Sequence, residues 1–136
     1  MGIFGNRFKS KGKQQESVEI SMGSDDDYNF DVVGESFQRD HLVALLKKHE
    51  VINDGRFLTP AMLVLEPTNV FDSNAVKVMV EGVQVGYIPK ILSGDVTKKI
   101  TAKGVTEYEV PARLGWDTDN PMPLIGVRLN MSEFGL

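Results

Sequence analysis

The chain has 136 residues, 41% hydrophobic and 25% charged, the make-up of one ordinary globular domain. No apolar run approaches the ~18 residues of a membrane-spanning helix, and Met1 to Asn6 lacks the apolar core of a secretory signal. The absence of Cys excludes disulfide frameworks, thiolate zinc sites and cysteine nucleophiles. It also makes a reducing, cytoplasmic setting the simplest expectation, with no membrane partner.

The formal net charge of -4 argues against electrostatic coating of long duplexes. That charge is unevenly distributed. Residues 1–13 carry Arg7, Lys9, Lys11 and Lys13 and no acid, whereas residues 14–31 carry Glu16, Glu19, Asp25, Asp26, Asp27 and Asp31 and no cation. Residues 1–28 therefore read as a flexible polar tail, basic and then acidic, too poor in apolar groups to offset chain entropy. Within it, Val18 and Ile20 alternate with polar residues as a short edge strand would. The Ser24–Asp27 run reads as solvated linker, because three adjacent acids need a shaped loop to meet at one cation.

The folded domain is expected over residues 29–136. Phe30 to Gly34 is short, apolar and β-branched, a strand. Gln38 to His49 places Leu42, Leu45 and Leu46 on one stripe, with Asp40 in the first turn and Lys47 and Lys48 in the last, the signs a helix dipole favours. Asn53-Asp54-Gly55 marks a turn, and Ala61 to Glu66 a buried strand that Pro67 ends. Ala75 to Val80 alternates with Val76, Val78 and Val80 inward; Glu81-Gly82 turns the chain, and Val83 to Ile88 returns as a hairpin partner. Pro89 opens a second helix reaching about Ile100. Val105 to Leu114 and Leu124 to Met131 complete the chain as strands, separated by the turn-rich residues 117–123. The order β-α-β-β-β-α-β-β, mainly β with two helices, suits a small antiparallel barrel better than a parallel α/β sheet, which needs more crossover helices.

Catalytic signatures are missing. His41 and His49 lie two helical turns apart, ~12 Å, too far to share a metal. No phosphate-binding Gly-Lys loop and no Gly-x-Ser-x-Gly elbow occurs. The pattern is that of a non-catalytic binding module without cofactor or metal.

The segment joining two apolar strands, Leu65-Glu-Pro-Thr-Asn69-Val-Phe71-Asp72-Ser-Asn74-Ala-Val, is the most informative. Asn and Asp cap turns through their own backbone, and an aromatic ring at its centre would plug a barrel end or present a surface. Combined with Val33-Gly34-Glu-Ser-Phe37 and Val85-Gly86-Tyr87-Ile-Pro-Lys90, this segment resembles the HIRAN domain family over about residues 29–131. The resemblance implies an OB-like antiparallel β-barrel that binds the 3′ end of single-stranded DNA, holding the terminal hydroxyl in a pocket. By motif position, Asp72 would accept the hydroxyl's hydrogen bond and Phe37 and Phe71 would stack on terminal bases. Asn69 and Asn74 would shape the loop, with Asn69 a candidate for direct contact, and Tyr87 and Lys90 would lie near the sugar-phosphate. Repair, replication or phage-host DNA metabolism is the implied setting, with a helicase, nuclease or other DNA-processing protein as a further partner. DNA-binding members carry Tyr where this chain has Phe37 and Phe71, and Arg where it has Ser36. The alternative is a protein-interaction module that keeps the barrel and has lost DNA binding. Trp116, beside residues 117–123, is expected in the barrel core, with a further stacking surface as the other reading.

Overall fold

The computed structural model describes residues 27–51, 55–117 and 124–136. The charge blocks of residues 1–26, the Val18–Ile20 alternation, the Asn53-Asp54 turn and the segment 118–123 lie outside the described residues. Among the described residues, eight strands and helices follow one another: β1 (Phe30–Asp31), α1 (Arg39–Lys48), β2 (Arg56–Leu65), β3 (Val76–Val80), β4 (Val83–Tyr87), α2 (Lys90–Ala102), β5 (Glu107–Asp117) and β6 (Leu124–Leu129). The described residues also include the 3-10 turns Glu35–Gln38 and Ser132–Phe134.

All six strands form one antiparallel sheet in the order β1-β6-β5-β2-β3-β4. The sheet curls into a half-barrel whose edges meet at a single bridge. After Phe30 and Asp31 pair with Leu129 and Arg128 of β6, the chain leaves that strand, and Val33 pairs instead with Tyr87 of β4. The amides of Val33 and Tyr87 donate to each other's carbonyls at 2.9 and 2.8 Å. Gly86 makes this crossing possible. A Cβ there would lie 2.3 Å from Val32 Cγ1 and 2.7 Å from the Val33 carbonyl oxygen. Where β1 departs, the Glu35 carboxylate takes its place and accepts the Val127 N–H at 3.0 Å. Burial pushes that carboxyl above its ordinary value, although the amide bonds pull the other way.

The β3–β4 hairpin turns at Glu81 (φ 51°) and Gly82 (φ 82°), both left-handed, as a two-residue connection matched to strand twist demands. The strained Glu81 is anchored by Lys48 and by His49 Nε2, 2.6 Å from Glu81 Oε2. His49 also stacks on Phe57, while His41 Nδ1 lies 2.8 Å from the Gln84 carbonyl, so the two histidines serve different contacts. A bulge between Val78 and Met79 accommodates the buried Val85.

Strand β2 begins at Arg56, five residues before the Ala61 expected from the sequence. The reason is an unusual proline pair. Pro60 and Pro111 face each other in the middle of the β2–β5 ladder. The Pro111 carbonyl accepts the Asn130 N–H at 2.9 Å on the β6 side, so its missing donor also lies on that side. By the same alternation Pro60 looks toward β3, which has already turned at Val80, and the central ladder loses no hydrogen bond.

The inward stripes of both helices cover the curled sheet: Leu42, Leu45 and Leu46 from α1, and Val96 and Ile100 from α2. They join Leu63, Val76, Val78, Val110, Leu114 and Leu129, all at most 1% exposed apart from Leu45 at 5%. Each fully buried aliphatic side chain contributes about 1.5–3 kcal/mol. Tyr28 is also buried, so the fold takes in one residue more than the expected boundary at 29. Helix α1 starts at Arg39, and the preceding residues wind into a 3-10 turn that carries Phe37. Trp116 is partly buried against the core, with the Arg39 guanidinium 6.0 Å from its ring centre.

Candidate nucleic-acid interface

The segment between β2 and β3 is built by its own polar side chains. Its neck closes where the Glu66 N–H donates to the Ala75 carbonyl at 2.9 Å. Asn69 Oδ1 accepts the amides of Phe71 and Asp72 at 2.9 and 3.1 Å, and Asp72 Oδ1 accepts that of Asn74 at 2.9 Å. These are side-chain turns of the kind short Asn and Asp residues form. The loop therefore spends Asn69 on backbone order rather than leaving its carbonyl oxygen for a ligand.

Two neighbouring elements brace the loop. From β4, the Tyr87 hydroxyl donates to Glu66 Oε1 at 2.9 Å, and Asn69 Nδ2 donates to the same oxygen at 2.7 Å. The Asn69 and Tyr87 bonds, with Lys77 Nζ 3.8 Å from Glu66 Oε2, hold the Glu66 carboxyl below its ordinary value. Burial first, and then the bond to Glu66, push the Tyr87 phenol up. From α2, Ser93 Oγ donates to Asp72 Oδ2 at 2.8 Å and Thr97 Oγ1 to the Asn74 carbonyl at 2.8 Å. Lys90 Nζ lies 3.4 Å from the Phe71 carbonyl. The Ser93 hydroxyl, then the Asn74 amide, depress the Asp72 carboxyl.

What the braced loop presents is apolar. Phe71 is 85% exposed, a marked departure for a side chain this large, and its neighbour Val70 is exposed with it. Ile91, one residue beyond Lys90, is also exposed. Phe37 is 87% exposed on the 3-10 turn that follows Gly34 (φ 81°), and the Val33–Tyr87 bridge ties that turn to the strand bracing the loop.

Of the seven residues expected at the site, Asn69, Phe71, Asp72, Asn74, Tyr87 and Lys90 thus belong to one hydrogen-bonded assembly. Phe37 lies on the 3-10 turn that follows the Val33–Tyr87 bridge, and among the described residues no hydrogen bond or ring contact joins its side chain to the assembly. Tyr87 commits its hydroxyl to Glu66, which makes it a brace of the loop. Glu66, Ser93 and Thr97 are participants the sequence reading left out. Ser93 had a signal: it shares the inward stripe of Val96 and Ile100, where a hydroxyl needs a partner. Among the described residues, no group of three or more His, Asp or Glu side chains could hold a metal ion, and no helix is long and apolar enough to cross a membrane.

Alongside the curled antiparallel sheet and the self-capped Asn-Asp-Asn loop with its exposed Phe71, residues 27–111 match the family model described as the HIRAN domain. The chain belongs to the HIRAN family, which is known for DNA binding. Among solved structures it is similar to the HIRAN domain of human HLTF, at 26% identity over 62% of this chain and 67% of that one, with a TM-score of 0.36. No curated protein matches.

Proposed function

We propose that this chain is a non-catalytic module that recognises the 3′ end of single-stranded DNA. In this reading the curled sheet is the OB-like barrel of the family, and the site comprises Phe37, Asn69, Phe71, Asp72, Asn74, Tyr87 and Lys90. The observation that carries it is the Phe71-Asp72 pair: an almost fully exposed ring next to a carboxylate that stays partly open to solvent on a loop braced from two sides. A carboxylate repels phosphate but accepts a hydroxyl donor, so Asp72 suits a strand that ends over one that continues. The ring offers a stacking surface worth about 1–3 kcal/mol per base regardless of sequence. Lys90 supplies a cation beside them, and few phosphates need be touched, which agrees with a chain of net negative charge. A DNA-repair, replication or phage-host setting, and a helicase or nuclease partner, belong to the same proposal.

The test is fluorescence anisotropy with 5′-labelled decamers that end in a 3′-hydroxyl or a 3′-phosphate. The hydroxyl-ended strand should bind at least about ten-fold more tightly, as loss of a charge-assisted hydrogen bond implies. Its affinity should fall with salt at a slope of about -0.7 per phosphate contacted. Equal affinity for the two ends removes the role given to Asp72. No binding of either at low salt favours a protein-interaction module instead.

A further inference from the structure

Ser93 is 2% exposed, yet its hydroxyl reaches the one carboxylate that matters to the proposed ligand. Its Oγ lies 2.8 Å from Asp72 Oδ2 and 2.9 Å from the Lys90 carbonyl three residues earlier in α2. A hydroxyl has one proton to donate, and an ionised carboxylate is the stronger acceptor. The proton therefore goes to Asp72. At the other end of the same carboxylate, Oδ1 accepts the Asn74 amide at 2.9 Å. Two donors, one from helix α2 and one from the loop itself, fix the plane of the group. A carboxylate has about four acceptor positions, so each oxygen keeps one for a ligand.

Exposed carboxylates ordinarily rotate, and ordering one on binding works against affinity. Here that ordering is done in the free protein. We infer that Ser93 is a positioning residue: it holds the Asp72 carboxylate in the orientation that receives a terminal hydroxyl, and so sets the preference for a hydroxyl-ended strand over a phosphate-ended or 3′-deoxy one. The inference rests on the reading of Asp72 given under Proposed function. The same bond leads the causes that keep Asp72 ionised below the usual carboxylate range, so removing it also moves the acid limit of binding upward in pH. The alternative role is a bolt between α2 and the loop, which would affect every ligand alike.

The experiment compares wild type, Ser93→Ala and Ser93→Thr against three 5′-labelled decamers ending in 3′-hydroxyl, 3′-hydrogen and 3′-phosphate, with thermal melting as a control. The wild type should prefer hydroxyl over hydrogen. Ser93→Ala should shrink that ratio about five-fold and lose hydroxyl-strand binding at a higher pH. Ser93→Thr, which keeps the donor, should restore both. A Ser93→Ala protein that binds all three strands more weakly with an unchanged ratio is a bolt variant, and the inference is overturned while the reading of Asp72 stands. A wild type that fails to distinguish hydroxyl from hydrogen overturns that reading and the inference with it. If Ser93→Ala does not fold, the near-isosteric Ser93→Cys, a weaker donor, decides by the same ratio.

Discussion

Gly86 carries the closure of the half-barrel, and replacing it with alanine tests that closure directly. The added Cβ would stand 2.3 Å from Val32 Cγ1 and 2.7 Å from the Val33 carbonyl oxygen. The first contact can relax by a valine rotamer change, at the expense of a side chain only 3% exposed. The second is with backbone, so relief requires β1 and β4 to separate. Separation breaks the reciprocal Val33–Tyr87 pair, two hydrogen bonds each worth about 0.5–1.5 kcal/mol. Overpacking adds about 1–3 kcal/mol, so the expected destabilisation is about 2–6 kcal/mol, on the order of 10 °C or more in Tm for a domain this small. Urea denaturation followed by circular dichroism measures it, and hydrogen exchange at the Val33 and Tyr87 amides shows whether the seam opens. Gly126→Ala is the control, because a Cβ there meets nothing within 4 Å. A Gly86→Ala protein that melts within ~2 °C of wild type with both amides still protected would refute the reasoning.

Phe37→Ala and Phe71→Ala should leave urea stability within about 0.5 kcal/mol, since both rings are exposed; each should weaken single-stranded DNA binding by about five-fold or more, measured by anisotropy. Asn69→Ala removes the acceptor of two loop amides and a donor to Glu66, and should cost about 1–2 kcal/mol on the scale of a lost cap, with faster proton exchange at the Phe71 and Asp72 amides. Glu35 has its carboxyl raised by burial, so its contribution to stability is complete below the ordinary glutamate value of 4.5 and is lost as the pH climbs through the raised one. Glu35→Gln keeps an acceptor for the Val127 amide without the buried charge. It should equal or exceed wild-type stability at pH 7 and lose that advantage toward pH 4, as urea midpoints across that range would show.

The alternating valines of β3 and the leucine stripe of α1 were legible in the sequence because each faces one continuous core, where period alone decides burial. The loop was legible for another reason: Asn69 and Asp72 order their neighbours through bonds spanning two or three residues, which sequence spacing contains. Contacts between distant segments were not. Tyr87 and Glu66 are 21 residues apart, as are Ser93 and Asp72, and nothing local marks either pair. The early start of β2 was hidden by Pro60, which locally argues against a strand and is tolerated only because the outer neighbour has ended. Likewise Phe30 to Gly34 reads as one strand, but only the curl of the whole sheet determines that Val33 changes partner.

The facing prolines of the two longest strands act as a register key. Sliding β5 by one residue against β2 would turn Pro111 over and point its donorless nitrogen into the shared ladder. A mispaired sheet would thus forfeit a hydrogen bond at its midline that the native alignment never needs, and the error is penalised where the two strands zip together.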